Sequence, residues 1–294
     1  MATETLSVLN SLSNDLSKAV EAAGKAVVRV DDGTRLTASG TIWTPDGLIV
    51  ATSHGVERDE DLSVELHDGT RLSAEVVGRD PESDLAVLRA QGVGLPAIAK
   101  STRPTLVGEL AIAVARPGES GLHATLGMVG GLSEAGAPGQ GFQFISTDAV
   151  MLPGFSGGAL VGAGGEFLGL LNLGYRRGRG ITVGAALVEN VVGSIVEHGN
   201  VQRGYLGISS QPVRLRGGGH EVGLLISSVE PSSPAERTGL LIGDVLLTID
   251  GAGFGDSGDL RRVLRAKRSG QNVSLEILRG GSKLDLVVEL GSRN

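Results

Sequence analysis

The sequence predicts a mostly β protein with two small barrels or sandwiches, followed by a third unit that mixes strands with a helix. The 294 residues include 47 glycines and only 3% aromatic residues, a composition that suits many tight turns better than long helices. Short apolar runs bounded by turn residues recur in two successive groups of about six, which is typical of small β-barrels. The length suits about two domains or slightly more.

The predicted strands fall into two groups with turn residues between them. Pro45-Asp46-Gly47 and Asp68-Gly69 predict tight turns, the second within a hairpin. The polar stretch 101–105 predicts the connection between the groups. The strands are expected at 26–30, 40–44, 48–52, 62–66, 72–77 and 85–89, and then at 109–114, 128–132, 142–146, 158–161, 167–174 and 181–186.

Two helices flank these strands. Residues 5–24 carry apolar residues at three- and four-residue steps, with Gly24 as the predicted end. We interpret this segment as a helix packed on the following domain, and an oligomer contact is the alternative. A second apolar face, followed by Gly199, predicts a helix near 188–195.

The domain boundaries follow from these elements. The predicted units are a helical segment at 1–24, a two-barrel domain at 25–199, a linker at 200–203 and a smaller α+β domain at 204–294. In the last unit, strands are expected near 223–229, 244–249, 273–278 and 284–290, with a helix at 258–268.

Composition excludes several classes of function. The net charge of −7 disfavours non-specific nucleic-acid binding. The chain has no cysteine, which removes disulfides, thiolate metal sites and a cysteine nucleophile. No apolar run is long enough to span a membrane. The first 18 residues do not read as a signal peptide, so we expect a cytoplasmic protein, or a periplasmic or extracellular one if a signal has been trimmed.

Three residues form a candidate catalytic group. Ser156 lies within Gly154-Phe155-Ser156-Gly157-Gly158, where small neighbours would let a substrate approach and backbone N–H groups could hold an oxyanion. His54 follows an apolar strand at the start of a loop, where it could act as a base. Asp84 directly precedes another apolar run, and a carboxylate there is costly unless it is hydrogen-bonded. The chain order His, Asp, Ser is that of two-barrel proteases.

At these residues the chain resembles the HtrA (DegP/DegS/Deg) family of serine proteases. The matching stretches are ASGTIWTPDGLIVATSHGV, VVGRDPESDLAVLRA and STDAVMLPGFSGGALVGAGGEFLGL, with RGYLGI and VEPSSPAERTGLLIGDVLLTIDG resembling the PDZ domain of that family. The resemblance implies a trypsin-like double barrel followed by a PDZ domain. It also implies a general base at His54, an orienting carboxylate at Asp84, a nucleophile at Ser156 and an oxyanion hole at the N–H groups of Gly154 and Ser156.

The resemblance implies further sites and one departure. Val150 and Met151 would line the primary specificity pocket, and their apolar character predicts cleavage after small or medium aliphatic residues of unfolded proteins. Peptide C-termini would bind at Tyr205, Leu206, Gly207 and Ile208, with Leu260 and Leu264 lining the side-chain pocket. No metal or organic cofactor is implied. Members of the family often form trimers through aromatic residues near the N-terminus, so the resemblance implies a homo-oligomer, although residues 1–42 of this chain contain no aromatic residue. Phe155 stands where the family has Asn or Asp, and Gly55 where it has Val.

Two alternatives remain at this point. A catalytically silent pseudoprotease could use its PDZ domain as a peptide sensor or holdase. An α/β-hydrolase would also satisfy the G-x-S-x-G pattern, but it needs a helix after the serine and then an acid and a histidine. The pattern around Ser156 is strand and glycine instead. Leu206, Ile208 and Leu264 could each also be ordinary core residues.

Overall fold

The chain divides into two units, one formed by the described residues up to 201 and the other by those from 204 onward. The computed structural model describes residues 2–34, 38–133, 144–174, 181–199, 201, 204–215, 222–254, 258–265, 267 and 269–292. The basic stretch 176–179 and the predicted linker 200–203, except residue 201, lie outside the described residues.

Six antiparallel strands close into the first barrel. They are β1 (Val27–Asp31), β2 (Ala38–Ile42), β3 (Leu48–Thr52), β4 (Ser63–Glu65), β5 (Arg71–Asp80) and β6 (Leu85–Ala90), in the order β1-β2-β3-β6-β5-β4. Their inward side chains, such as Val28, Ile49 and Leu88, fill the barrel. The turn residues Gly47 and Gly69 have φ angles of 96° and 85°, as the predicted tight turns require.

The second barrel repeats the strand order of the first. Its strands are β7 (Leu110–Ala115), β8 (His123–Ser133), β9 (Phe144–Thr147), β10 (Ala159–Gly162), β11 (Phe167–Asn172) and β12 (Ile181–Gly184), in the order β7-β8-β9-β12-β11-β10. The prediction of two small barrels is therefore confirmed. The α/β-hydrolase alternative is wrong, because the strands that pair within both barrels are antiparallel.

The N-terminal helix α1 (Ala2–Ala26) is longer than predicted. Gly24 lies within it, and the prediction that Gly24 ends the helix is wrong. A Cβ at this glycine would lie 2.5 Å from Leu122, so the glycine makes room for that side chain. Only the C-terminal half of the helix packs as expected: Ala19 and Ala23 are buried, whereas Leu9 and Leu12 are exposed.

A third cluster of apolar side chains lies between the two barrels. Val50, Val87, Val114 and Phe167 belong to it, together with the buried residues of helix α2 (Ala185–His198). Helix α2 ends at Gly199, whose φ is 76° and whose N–H donates to the carbonyl of Ile195, as the sequence predicts. The barrels are thus packed together as one body, and residues at their junction can act jointly.

The described residues of the second unit form a six-stranded antiparallel sheet with two helices. Its strands β13 (Ile208–Arg214), β14 (Val222–Val229), β15 (Val245–Ile249), β17 (Asn272–Arg279) and β18 (Ser282–Glu289) lie in that order, and β16 (Ala252–Gly253) pairs with β15. The helices are α3 (Pro234–Thr238), which the sequence did not reveal, and α4 (Gly258–Arg265). Strand β13 lies at an edge of the sheet, so its outer side is open to a further strand.

Among the described residues, we find no helix whose length and hydropathy would let it cross a membrane.

Candidate active site

Strand β3 places His54 at the barrel junction. The strand is buried over its whole length and ends at Thr52, and a short 3-10 turn at Ser53–Gly55 then carries the imidazole outward. The side chain of His54 is 40% exposed. Gly174 has no side chain, and a Cβ at this position would lie only 2.8 Å from Nδ1 of His54. The imidazole therefore packs closely on backbone, which limits its movement.

Asp84 lies in the turn between β5 and β6, with a left-handed φ of 56°. Its Oδ2 lies 2.5 Å from Nδ1 of His54, and its Oδ1 accepts the backbone N–H of the same histidine at 2.9 Å. The amide of Asn172 donates to Oδ2 at 2.9 Å. The carboxylate is thus held by three hydrogen bonds, which fix both its position and the orientation of the imidazole.

These contacts keep Asp84 ionised. Burial alone would raise the pKa of this carboxyl, but hydrogen bonds from the His54 side chain, the Asn172 amide and the His54 backbone outweigh burial and lower the pKa. A carboxylate that stays charged can stabilise a positively charged imidazole.

Ser156 lies on the turn that precedes β10. Its Oγ is 3.1 Å from Nε2 of His54 and accepts the backbone N–H of Leu173, also at 3.1 Å. The side chain of Phe155 is fully buried in the core of the second barrel, where the sequence resemblance would place a polar residue. The structure therefore brings His54, Asp84 and Ser156 together in one hydrogen-bonded line.

The turn around Ser156 leaves two backbone donors available. The N–H groups of Phe155, Gly157 and Gly158 donate to the carbonyls of Leu152, Leu171 and Phe155, respectively. Within the part of the chain that the structure describes, the N–H groups of Gly154 and Ser156 have no acceptor. Such unused donors beside a nucleophile suit an oxyanion.

Sequence reasoning missed Asn172. This residue ends the fully buried strand β11 and is itself fully buried. Its Oδ1 accepts the N–H of Gly174, which leaves its amide pointing at Asp84. The sequence pattern that could have identified Asn172 is the one that identified Asp84, namely a polar residue that borders an apolar run.

The two predicted pocket residues differ in burial. Val150 is 60% exposed, and its carbonyl accepts the hydroxyl of Thr125 at 2.6 Å. Met151 is partly buried and packs against the core of the second barrel. The more enclosed of the two is therefore Met151.

The loop 205–208 in the second unit is built on backbone hydrogen bonds. Tyr205 exchanges two with Gly291, the carbonyl of Leu206 accepts from Ala235, and that of Gly207 accepts from Glu230. Gly207 has a φ of 84°, and among the described residues the N–H groups of Leu206 and Gly207 have no acceptor. These donors lie directly before the open edge strand β13.

The residues predicted to surround a bound peptide share one core. Leu206 and Leu260 are buried in it, and Ile208 and Leu264 are partly buried against it. Leu206 and Leu260 thus serve as core residues, whereas Ile208 and Leu264 keep some exposed surface.

Comparisons with known proteins match both units. The trypsin-like peptidase domain family matches residues 38–170, and the PDZ domain family matches residues 204–290. The periplasmic serine endoprotease DegP of Escherichia coli K12 is 32% identical over 266 residues, which cover 86% of this chain and 56% of that protein. A probable periplasmic DegP-like serine endoprotease of Halomonas elongata is also 32% identical, over 87% of this chain and 56% of its own length. The chain thus spans little more than half the length of these relatives.

Solved structures match nearly the whole chain. The HtrA-type protease AlgW with a decapeptide superposes with a TM-score of 0.78 and 30% identity, over 95% of this chain and 99% of that one. The serine endoprotease from Yersinia pestis gives a TM-score of 0.79 and 27% identity, over 95% and 98% of the two chains.

Proposed function

Because the chain belongs to the HtrA family of trypsin-like serine proteases, we propose that it is an endopeptidase that hydrolyses unfolded or misfolded proteins through an acyl-enzyme on Ser156. The observation that carries this proposal is the line from Asp84 Oδ2 through His54 to Ser156 Oγ, with distances of 2.5 and 3.1 Å. This arrangement suits nucleophilic catalysis at a carbonyl.

The proposed reaction begins at Ser156. Nε2 of His54 takes the proton of the hydroxyl while Oγ forms a bond to the scissile carbonyl carbon. The N–H groups of Gly154 and Ser156 stabilise the oxyanion that results, and Asp84 stabilises the imidazolium. Nε2 then gives its proton to the leaving amine, and a water molecule hydrolyses the acyl-enzyme in a second round of the same proton transfers.

The test compares hydrolysis of denatured casein by the wild type and by Ser156→Ala. The variant removes the nucleophile, so we expect a loss of at least about 10³-fold. The thermal unfolding of the two proteins should agree. If the wild type does not hydrolyse casein, or the variant keeps its activity, the proposal fails. A wild type that binds peptides without hydrolysing them would be the catalytically silent sensor.

The proposed specificity follows from the apolar residues Val150 and Met151. Neither could pair with a Lys or Arg side chain, so cleavage is expected after small or medium aliphatic residues such as Val, Ala or Leu. Mapping the cut sites in denatured casein tests this expectation. A dominance of cuts after Lys or Arg would contradict it.

For the PDZ unit we propose capture of peptide C-termini by strand addition to β13. The free N–H groups of Leu206 and Gly207 support this role, since two converging donors can hold a terminal carboxylate. Full-length Ser156→Ala should bind peptides with a free apolar C-terminus more tightly than their amidated forms. Equal affinity for the two forms would remove the carboxylate argument.

Location and assembly are also proposals. The names of the relatives place them in the periplasm, which supports the periplasmic alternative over a cytoplasmic one. The exposed side chains of Leu9 and Leu12 on α1 support a homo-oligomer contact. Replacing both with Gln should lower the mass in sedimentation if the contact exists. An unchanged mass would exclude this face.

A further inference from the structure

Strand β2 of the first barrel holds the nucleophile turn of the second with three hydrogen bonds. The hydroxyl of Ser39 donates to the carbonyl of Gly154 at 2.8 Å, and its backbone N–H donates to the carbonyl of Ser156 at 2.9 Å. The hydroxyl of Thr41 donates to the carbonyl of Gly157 at 3.0 Å. The packing is tight, because a Cβ at Gly157 would lie 1.9 Å from the carbonyl oxygen of Ser39.

The hydroxyl of Ser39 has a defined direction. The backbone N–H of Arg116 donates to Oγ at 2.9 Å, so the hydroxyl proton is directed at the carbonyl of Gly154. Arg116 is itself anchored, since its guanidinium donates to the carbonyls of Val27 and Gly24 at 2.7 and 3.1 Å. Ser39 is fully buried and Gly154 is partly buried.

This bond acts on a peptide group that glycine alone would leave loose. Gly154 has a φ of 87° and no Cβ to restrict its rotation. The peptide between Gly154 and Phe155 is held at both ends, its carbonyl by Ser39 and its N–H by the carbonyl of Leu152 at 3.0 Å. The N–H of Gly154 belongs to the preceding peptide, between Pro153 and Gly154. If the peptide after Gly154 is released, ψ of Gly154 can change together with φ, and a coupled change of these two torsions turns the preceding peptide and its N–H.

We infer that Ser39 is a positioning residue for the oxyanion hole: its hydroxyl fixes the peptide after Gly154, which restricts the torsions of Gly154 and so keeps the N–H of Gly154 aimed at the reacting carbonyl. The inference rests on the proposed function, because it concerns the transition state of that reaction. Removal of one oxyanion donor costs about 10²–10³-fold in kcat. A donor that is still present but poorly aimed should cost less, about 10–100-fold.

The effects on kcat and KM distinguish a misoriented oxyanion donor from a general disturbance of the fold. An oxyanion forms only as the carbonyl is attacked, so a donor that serves the oxyanion affects kcat and leaves ground-state binding nearly unchanged. For Ser39→Ala we expect kcat to fall by about 10–100-fold and KM to change by less than about 3-fold. A peptide boronic acid, whose tetrahedral adduct on Ser156 presents an oxygen to the same donors, should lose affinity by about the same factor as kcat.

Thr41→Val is the matched control. It removes a hydroxyl from the same strand and with the same full burial, but its partner is the carbonyl of Gly157, beyond the nucleophile. Both variants leave one carbonyl without its donor, so both should show a similar fall in the temperature of thermal unfolding. Only Ser39→Ala should lose kcat beyond about 3-fold. Ser39→Cys keeps a weak hydrogen-bond donor, so its kcat should lie between those of the wild type and Ser39→Ala.

The measurement uses the full chain and a fluorogenic peptide that contains a cut site mapped in casein. A loss of kcat confined to Ser39→Ala, with a parallel loss of boronate affinity, supports the inference. Equal losses in Ser39→Ala and Thr41→Val, or a loss that lies in KM, overturn it while leaving the proposed function intact. If the wild type hydrolyses neither casein nor peptide, the proposed function and the inference fail together. If Ser39→Ala does not fold, Ser39→Cys is judged against Thr41→Val by the same criteria.

Discussion

Two turns of this molecule leave pairs of backbone N–H groups without an acceptor among the described residues, and the two turns are held in different ways. At the nucleophile turn, the hydroxyls of Ser39 and Thr41 hold carbonyls, and the Phe155 side chain is buried in the barrel core. At the loop 205–208, the peptide groups bond to the backbone of Gly291, Ala235 and Glu230, whereas the side-chain bond from the Tyr205 hydroxyl to the Glu230 carboxylate holds no peptide group of the loop.

The difference matches what each turn is proposed to hold. An oxyanion exists only in the transition state, and a donor that is misplaced by a fraction of an ångström loses much of its effect on rate. A peptide carboxylate is a stable ligand that can adjust to its donors. The hydroxyl of Ser39 adds precision to the first turn by fixing the carbonyl of Gly154, whereas backbone bonds are sufficient to hold the peptide groups of the second. The predictions below measure hydrolysis, peptide binding or both, so that the effects on the two turns can be separated.

The largest effect is expected from Asp84→Asn. The substitution keeps the shape of the side chain but removes the charge that orients and stabilises the imidazole of His54. By analogy with other Ser-His-Asp enzymes, kcat should fall by about 10³–10⁴-fold. Binding of a peptide with a free C-terminus should stay within about 2-fold of wild type, because the loop 205–208 has no part in this chain of hydrogen bonds. A variant that keeps more than a tenth of the activity would contradict the role of Asp84.

Asn172→Ala should have the next largest effect. It removes one hydrogen bond to a charged group, worth about 1.5–3 kcal/mol, so kcat should fall by about 10–100-fold. The pKa of Asp84 should rise toward its ordinary value of 3.8, because one of the bonds that lowers it is gone. Asp84 stabilises the fold when charged, and that contribution is lost as pH falls through its folded pKa. The variant should therefore lose activity and stability at a higher pH than wild type on the acid side.

Thr182→Val is the control for Asn172→Ala. Thr182 is fully buried on the neighbouring strand β12, opposite Leu171, and its hydroxyl has no hydrogen-bond partner among the described residues. Thr182→Val should lose activity and stability at the same acid pH as the wild type. If the two variants lose activity and stability at an equally raised pH, the effect comes from the barrel core and not from Asp84.

Most of the fold and the three catalytic candidates could be predicted from the sequence, because strands, tight turns and reactive loops have local sequence patterns. His54 and Asp84 stand at the ends of apolar runs, and Ser156 stands among glycines. The sequence did not reveal partners that only the packing of two barrels brings together. Ser39 and Asn172 are distant in sequence from the residues they hold, and each reads locally as an ordinary strand residue.

The same limit explains why one expectation about helix α1 is wrong and a second holds for only half of the helix. Glycine often ends a helix, but Gly24 lies inside one because Leu122, almost a hundred positions away, fills the space of its missing side chain. The apolar spacing of α1 predicts one packed face along its whole length, and only the half near β1 finds a barrel to pack on.

Gly207→Ala tests the loop of the PDZ unit. The left-handed φ of 84° strains an alanine, and its Cβ would lie 2.2 Å from that of Ser233, so the loop must shift. Peptide affinity should fall by about 10-fold or more, which corresponds to about 1.4 kcal/mol, while cleavage of a short fluorogenic peptide stays near wild type.

Gly281→Ala is the control for that loop. Gly281 has a φ of 89° in the β17–β18 hairpin, and a Cβ there would meet nothing within 4 Å. This variant carries the same backbone strain without the collision, so its peptide affinity should match wild type. If both variants lose affinity equally, strain anywhere in the unit is responsible and the loop has no special role.

The smallest effect on function is expected from Arg279→Leu, which removes the strongest side-chain tie of the PDZ unit. The guanidinium donates to both oxygens of the buried carboxylate of Asp244, each at 2.7 Å, and to the carbonyl of Gly239 at 2.7 Å.

Hydrogen bonds from Arg279 outweigh the burial of Asp244 and lower its pKa below the ordinary 3.8. A carboxyl with a lowered pKa stabilises the fold fully above 3.8 and loses that contribution as pH falls through its folded pKa. Arg279→Leu should therefore speed hydrogen exchange in β15 and β17 at neutral pH, and the difference from wild type should narrow in acid. Peptide affinity at neutral pH should stay within about 2-fold, because the bonds of Arg279 go to Asp244 and Gly239 and not to the loop 205–208. A loss as large as that of Gly207→Ala would show that this loop depends on the bond between Arg279 and Asp244.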